Sequence, residues 1–225
     1  MGFMDIFKPR PAAPPKPAPV APDTLDRKAF FSHCRATVMG PTLDGDEVSG
    51  AETILAAMKG APVSHCAYAL ATAWHETAHT MQPIREIGGP SYFLRMYDIR
   101  GSRPDKAREL GNIHPGDGAL YAGRGYVQLT GRTNYENAAK RLGYPLAGHP
   151  DLAMRPDIAA LIMRQGMQEG WFTGKAFHHY LPAKSPAPRV QFVEARRIIN
   201  GKDRAAQIAI YAVQFQEALI EADWP

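Results

Sequence analysis

From Ser64 to His79 the chain is apolar and rich in alanine. Such a run predicts a helix buried on most of its sides, and a domain must pack around it. Whatever stands at its end is carried to a fixed place. What stands there is His75-Glu76-Thr77-Ala78-His79.

This ending reads in two incompatible ways. As His-Glu-x-x-His on a helix, His75 and His79 share a face and could hold zinc, with Glu76 as general base. A zinc site needs a third protein ligand, however. No His follows at the required spacing, Pro83 ends or breaks the helix, and Glu109 and Asp98 do not stand on a segment that looks like a ligand-bearing helix. In the other reading Glu76 is one of two carboxyl groups that cut a glycosidic bond. One must give a proton to the leaving oxygen and the other must activate water. Apolar neighbours such as Trp74 and Ala78 would desolvate Glu76 and suit it to the acid role. Glu86 lies in the polar stretch that follows, next to Arg85, whose charge would favour an ionised base. It could equally be a surface carboxylate paired with an arginine.

The remaining chain is read mostly as helix. Asp23 or Thr24 caps a helix through about Met39. Ser49 to Glu52 looks like a capping box ahead of Ile54, Leu55 and Met58, with Gly60 as the stop. Pro104 and Pro156 suit first helical turns, the latter helix running through Met167. Asp203 caps a last helix from Arg204 to about Ala222, with Ile208, Tyr211, Ala212, Phe215 and Leu219 on one face. Residues 81–103 and 111–125 read as loops rich in Gly, Pro and polar groups. Tyr126 to Leu129 alternates as a short strand would. Gln128, Thr130 and Asn134 are uncharged hydrogen-bonding groups that suit sugar hydroxyls or a positioned water. On local sequence alone they also fit a polar turn.

Residues 9–22 hold seven prolines in fourteen positions, which excludes helix and sheet and reads as an extended tether over residues 1–22. Phe3, Met4, Ile6 and Phe7 ahead of it read as a disordered tail or a small docking peptide. The folded part is expected over residues 23–225. Lys and Arg exceed Asp and Glu by 26 to 22, a net charge of +4, which suits an anionic polymer without requiring one. Neither a membrane-spanning run nor an apolar secretory leader is apparent. Cys34 and Cys66 lie in apolar segments outside any C-x-x-C pair and read as buried free thiols.

Taken with the long segment Tyr121–Tyr135, these motifs resemble family 19 glycoside hydrolases, the group of plant-type chitinases and many phage endolysins. Trp74-His75-Glu76-Thr77 is similar to the family's His-Glu-Thr, and Arg85-Glu86-Ile87-Gly88 to its Arg-Glu-x-Gly. Tyr121–Tyr135 is similar to Tyr-x-Gly-Arg-Gly-x-x-Gln-Leu-Thr-Gly-Arg-x-Asn-Tyr almost throughout. Gly170-Trp171-Phe172 and Ile198-Ile199-Asn200-Gly201 resemble two further segments. The chain departs from the family at Ala78-His79-Thr80, where glycines are usual. Glu86 also follows Glu76 by only ten positions, as in compact phage-type members rather than plant chitinases.

The resemblance implies a mostly α, two-lobed lysozyme-like domain with a substrate cleft and at most a small β-hairpin. It implies Glu76 as general acid and Glu86 as general base, with Thr130 and Gln128 orienting the water. Tyr121, Asn134 and Asn200 are expected at the sugars, and Arg124 in internal ion pairs. Inversion requires carboxyl groups about 6.5–9.5 Å apart. No metal or organic cofactor is implied. The expected partner is the glycan of peptidoglycan, not nucleic acid, with no stable membrane insertion and a monomeric chain. Synthesis in the bacterial cytoplasm and release through a separate export or holin route fit the lack of a leader. A chitinase, a zinc peptidase and a wall-binding module without catalysis are the alternatives.

Overall fold

The computed structural model describes residues 24–225. The tether over residues 1–22 and the cap offered by Asp23 lie outside the described residues.

Helix α1 (Arg27–Ala36) starts at Asp26, whose carboxylate accepts from the Ala29 N–H at 3.0 Å. Asp26, rather than Thr24, is therefore the cap. Helix α2 (Gly45–Met58) begins earlier than expected. Asp44 and Glu47 form a reciprocal capping box, so Ser49 falls inside the helix and its hydroxyl turns back to the Asp46 carbonyl. Two candidate boxes stand within one turn, and the first satisfies the earlier N–H groups. Gly60 follows the stop with φ +75°.

Helix α3 (Val63–Glu76) is the central helix, and every residue from Cys66 to Trp74 is buried. Its alanines let neighbours come close. Gly50 of α2 serves the same end, because a methyl group there would sit 1.9 Å from the Met81 carbonyl oxygen. α3 packs on α2 and on the last helix, α10 (Ala205–Glu221), which also packs on α1 and on α9 (Arg189–Ala195). The predicted apolar face of α10 is buried at Ile208, Ala212, Phe215 and Leu219. Its start differs from expectation. Asp203 makes no side-chain cap, and Arg204 occupies the cap position in left-handed backbone.

A smaller lobe is built from α4 (Pro90–Tyr97), α5 (Pro104–Glu109) and the single turn α6 (Asp117–Leu120). α4 was not expected. Gly88-Gly89-Pro90 reads as loop, yet Pro90 opens a helix that buries Phe93. This lobe is organised around buried polar groups rather than an apolar core. Asp98 accepts from the Gly116 and Gly118 N–H groups. Asn112 donates to the Tyr97 carbonyl and accepts from the Arg132 N–H, and Arg132 closes on Asp117.

Strands β1 (Ile84–Arg85) and β2 (Arg124–Gly125) pair antiparallel, with Ile84 opposite Gly125 and Arg85 opposite Arg124. The strand expected at Tyr126–Leu129 is instead a turn with Gln128 at φ +53°, closed by a bridge from Leu129 to Arg124. Its apolar alternation reflects a buried turn, not a pleat. Helix α7 (Arg132–Leu142) follows, then α8 (Pro156–Glu169), which packs on α2. Phe172 seats against Gly166 of α8, so the Trp-Phe segment is structural. Cys34 and Cys66 are buried free thiols, and burial pushes the Cys34 thiol up to about 12. Among the described residues no helix is long and apolar enough to cross a membrane.

Candidate active site

α3 delivers Glu76 at its last turn. The chain then turns sharply. Ala78, His79 and Met81 all have positive φ, at 51°, 74° and 54°. Thr77 ties this turn down, since its hydroxyl donates to the Ala73 carbonyl at 2.8 Å and accepts from the Met81 N–H at 3.0 Å. Ala78 and His79 adopt this left-handed backbone at a steric cost that glycine would not bear.

The same turn removes the zinc geometry. His79 leaves the helix, stacks on Trp74 with ring centroids 4.5 Å apart, and has Nε2 3.4 Å from the Tyr211 hydroxyl. It therefore does not share a helical face with His75. Among the described residues no three His, Cys, Asp or Glu side chains gather as a metal would need.

Glu76 is not surrounded by apolar groups alone. Its Oε1 accepts from Nη1 of Arg196 at 2.6 Å, and Arg196 is 1% exposed. Arg196 is fixed in turn by donating Nε to the Asp203 carbonyl at 2.9 Å. The sequence reading missed this arginine. It stands 120 positions away, and only its place just before the Ile-Asn-Gly segment hinted at it. Asn200 lies on the exposed turn beyond Arg196, its N–H donating to the Arg196 carbonyl.

Glu86 continues from β1, and its N–H donates to the Gly123 carbonyl at 2.9 Å. Both carboxylate oxygens have partners. Oε1 accepts from the Tyr97 hydroxyl at 2.6 Å and Oε2 from the Gly123 N–H at 3.0 Å. Burial first, and then the carboxylate itself, push the Tyr97 phenol well above its usual range, so it remains a donor. Arg85 is not the partner of Glu86; it pairs with Asp151 at 2.7 Å.

Gln128 and Thr130 join Glu86 around Gly123. A methyl on Gly123 would lie 2.8 Å from Gln128 Oε1, 3.0 Å from Glu86 Oε2 and 3.1 Å from Thr130 Oγ1. A side chain here would push these groups apart, and three oxygens close around one point. Gln128 spends its amide group on the Ile84 and Gly125 carbonyls, both at 3.1 Å, which fixes its oxygen toward the group. Thr130 donates to the Gln128 carbonyl, and Asn134 donates to the Thr130 carbonyl at 2.7 Å. Asn134 therefore braces Thr130. A cavity of about 280 Å³ opens beside Glu86, bounded by Gly88, Phe93, Ala119 and Gly123.

Tyr121 departs from expectation. It is 2% exposed, its hydroxyl donates to the Ala147 carbonyl, and Arg132 covers its ring. It belongs to the core and not to a sugar-binding surface. Arg124 is internal, as read from the sequence, bonding Asp151, two carbonyls and the Tyr135 hydroxyl.

The architecture is a mostly α, two-lobed, lysozyme-like fold with two carboxylates held by neighbouring groups. That fold is shared with solved chitinases. Chitinase C from Streptomyces griseus HUT6037 aligns with a TM-score of 0.58 at 22% identity, covering 90% of this chain and 79% of that one. A chitinase C mutant aligns with a TM-score of 0.54 at 19% identity, covering 90% and 94%. No protein-family model matches the sequence, and no curated protein matches it.

Proposed function

We propose that this chain is a glycoside hydrolase that cuts β-1,4 bonds of bacterial peptidoglycan by a single, inverting displacement. The observation that carries the reading is the contrast between its two carboxylates. Glu76 has Oε1 held by buried Arg196 and no protein partner at Oε2 among the described residues. Glu86 has donors on both oxygens and shares its surroundings with Thr130 and Gln128. Glu76 protonates the leaving oxygen through Oε2. Glu86 takes a proton from a water that Thr130 and Gln128 hold. Asn134 keeps Thr130 in place, and Asn200 offers a polar contact to sugar.

Peptidoglycan is supported by the surplus of basic residues and by the short spacing between Glu76 and Glu86. A lysin made in the bacterial cytoplasm and acting on the wall after release, as a monomer without cofactor, completes the proposal. Chitin is the second reading, favoured because both structural neighbours carry the name chitinase.

The test is clearing of permeabilised Gram-negative cells by the native protein, by Glu76→Gln, and by the native protein with EDTA. The expected result is clearing that survives EDTA and vanishes in Glu76→Gln, with the α-anomer as first product by NMR. Clearing by Glu76→Gln, or loss under EDTA with recovery in zinc, would overturn it. Action on N-acetylglucosamine oligomers alone would select the chitin reading.

A further inference from the structure

The cavity beside Glu86 does not end there. A larger cavity of about 530 Å³ shares Arg85, Ala119 and Arg124 with it and extends to Gly148 and His149. The two cavities adjoin along these three residues.

Arg85 Nη2 and Arg124 Nε both reach the same oxygen, Oδ1 of Asp151, at 2.7 and 3.0 Å. One carboxylate therefore serves two guanidinium groups. Arg124 is committed, with a side chain 7% exposed and further bonds to the Leu120 and Ala122 carbonyls. Arg85 has a side chain 53% exposed, and Asp151 is its ion-pair partner. Exposed pairs of this kind hold weakly, so Arg85 can leave Asp151 to Arg124 and turn to another anion at little cost. Leu120, 45% exposed, supplies an apolar wall beside it.

A guanidinium held only by an exposed ion pair, next to an apolar wall, fits a carboxylate on a short apolar arm. Chitin carries no such group. The muramyl residues of peptidoglycan carry a lactyl ether that ends in a carboxylate or in a peptide with free carboxylates. We propose that this basin is a subsite for that arm, and that Arg85 sets the preference for peptidoglycan over chitin. The proposal rests on the reading of Glu76 and Glu86 as the cutting pair.

The experiment compares Arg85→Gln and Arg85→Lys with the parent in two formats. In the Glu76→Gln background, NMR titration follows N-acetylmuramyl dipeptide and diacetylchitobiose. In the active background, kcat/KM is measured on peptide-bearing glycan and on N-acetylglucosamine oligomers, with thermal melts confirming folding. Loss of a charge-assisted contact predicts muramyl binding and kcat/KM on the peptide-bearing glycan about tenfold lower in Arg85→Gln, with the neutral sugars within about twofold and Arg85→Lys partly restoring the preference. Equal losses on both sugars, no loss on either, or no muramyl binding by the parent would overturn the subsite. Muramyl binding that needs Arg85 in a protein that cuts neither polymer would sink the glycosidase reading and leave the subsite standing.

Discussion

Arg196, only 1% exposed, places Nη1 2.6 Å from Oε1 of Glu76. A buried guanidinium is tolerated when its donors are spent, and Arg196 spends Nε on the Asp203 carbonyl as well. The pair joins the end of α3 to the turn that leads into α10. It selects which oxygen of Glu76 is left without a protein partner among the described residues.

Replacing Arg196 tests that selection. Arg196→Lys keeps the charge but cannot make both contacts with one fixed fork. It is expected to lower kcat by about tenfold or more with KM little changed, and to lower Tm by a few degrees. Arg196→Gln leaves Glu76 without its cation and is expected to cost about 3 kcal/mol of stability. Steady-state kinetics and thermal melts on the same preparations check both. A kcat equal to the parent's in Arg196→Lys would remove Arg196 from the chemistry.

Tyr97 is the donor that the Glu86 carboxylate would lose most directly. Tyr97→Phe removes one hydrogen bond to a charged group, worth about 1.5–3 kcal/mol. Expected is a fall in kcat of about 10- to 100-fold with circular dichroism unchanged. Unaltered kcat in a folded Tyr97→Phe protein would mean that Glu86 is not the base.

Ala78 at φ 51° is the clearest strain beside the site. An L-residue in left-handed backbone costs about 1 kcal/mol, and glycine does not bear it. Ala78→Gly is therefore expected to raise stability by up to about 1 kcal/mol, less the entropy glycine adds to the unfolded chain. His79→Gly is expected to lower it, because the Trp74 stack is lost. Urea unfolding midpoints decide between the signs.

Asp117 provides a pH test. Burial raises its pKa, but the Arg132 contact and the His114 N–H outweigh that and hold it below the ordinary carboxylate range. A depressed folded-state pKa gives stability present above the unfolded value near 3.9, lost as pH falls through the lower folded value. Stability is expected to be flat in this contribution at neutral pH and to fall below about pH 4. Asp117→Asn is expected to lose about 3 kcal/mol at pH 7 and to flatten the acid slope, by denaturant titration at several pH values. An unchanged acid slope would show that the small lobe does not depend on this pair.

Much of the site was legible because its residues lie in short, dense segments. Glu76 ends an alanine-rich helix, and Gln128, Thr130 and Asn134 fall within seven positions around one turn. The boundaries were legible where a proline or a glycine stands at them, as at Pro104, Pro156 and Gly60. They were misread where two caps compete, as at Asp44 and Ser49, because sequence does not say which N–H groups are already satisfied. α4 was hidden by the glycines before it.

By itself, the sequence determined a buried central helix, the carboxylate at its end, and a glycine-rich turn crowded with hydrogen-bonding groups. Helix propensity and close packing act over a few residues, and their causes are written in adjacent letters. Only the tertiary structure decided that Arg196 holds Glu76, that Tyr97 and Gly123 hold Glu86, that Arg85 belongs to Asp151, and that Tyr121 is core. Each of these is a contact between segments distant in sequence or a choice of side-chain direction. Such contacts are fixed by how whole elements pack, and no local pattern encodes them.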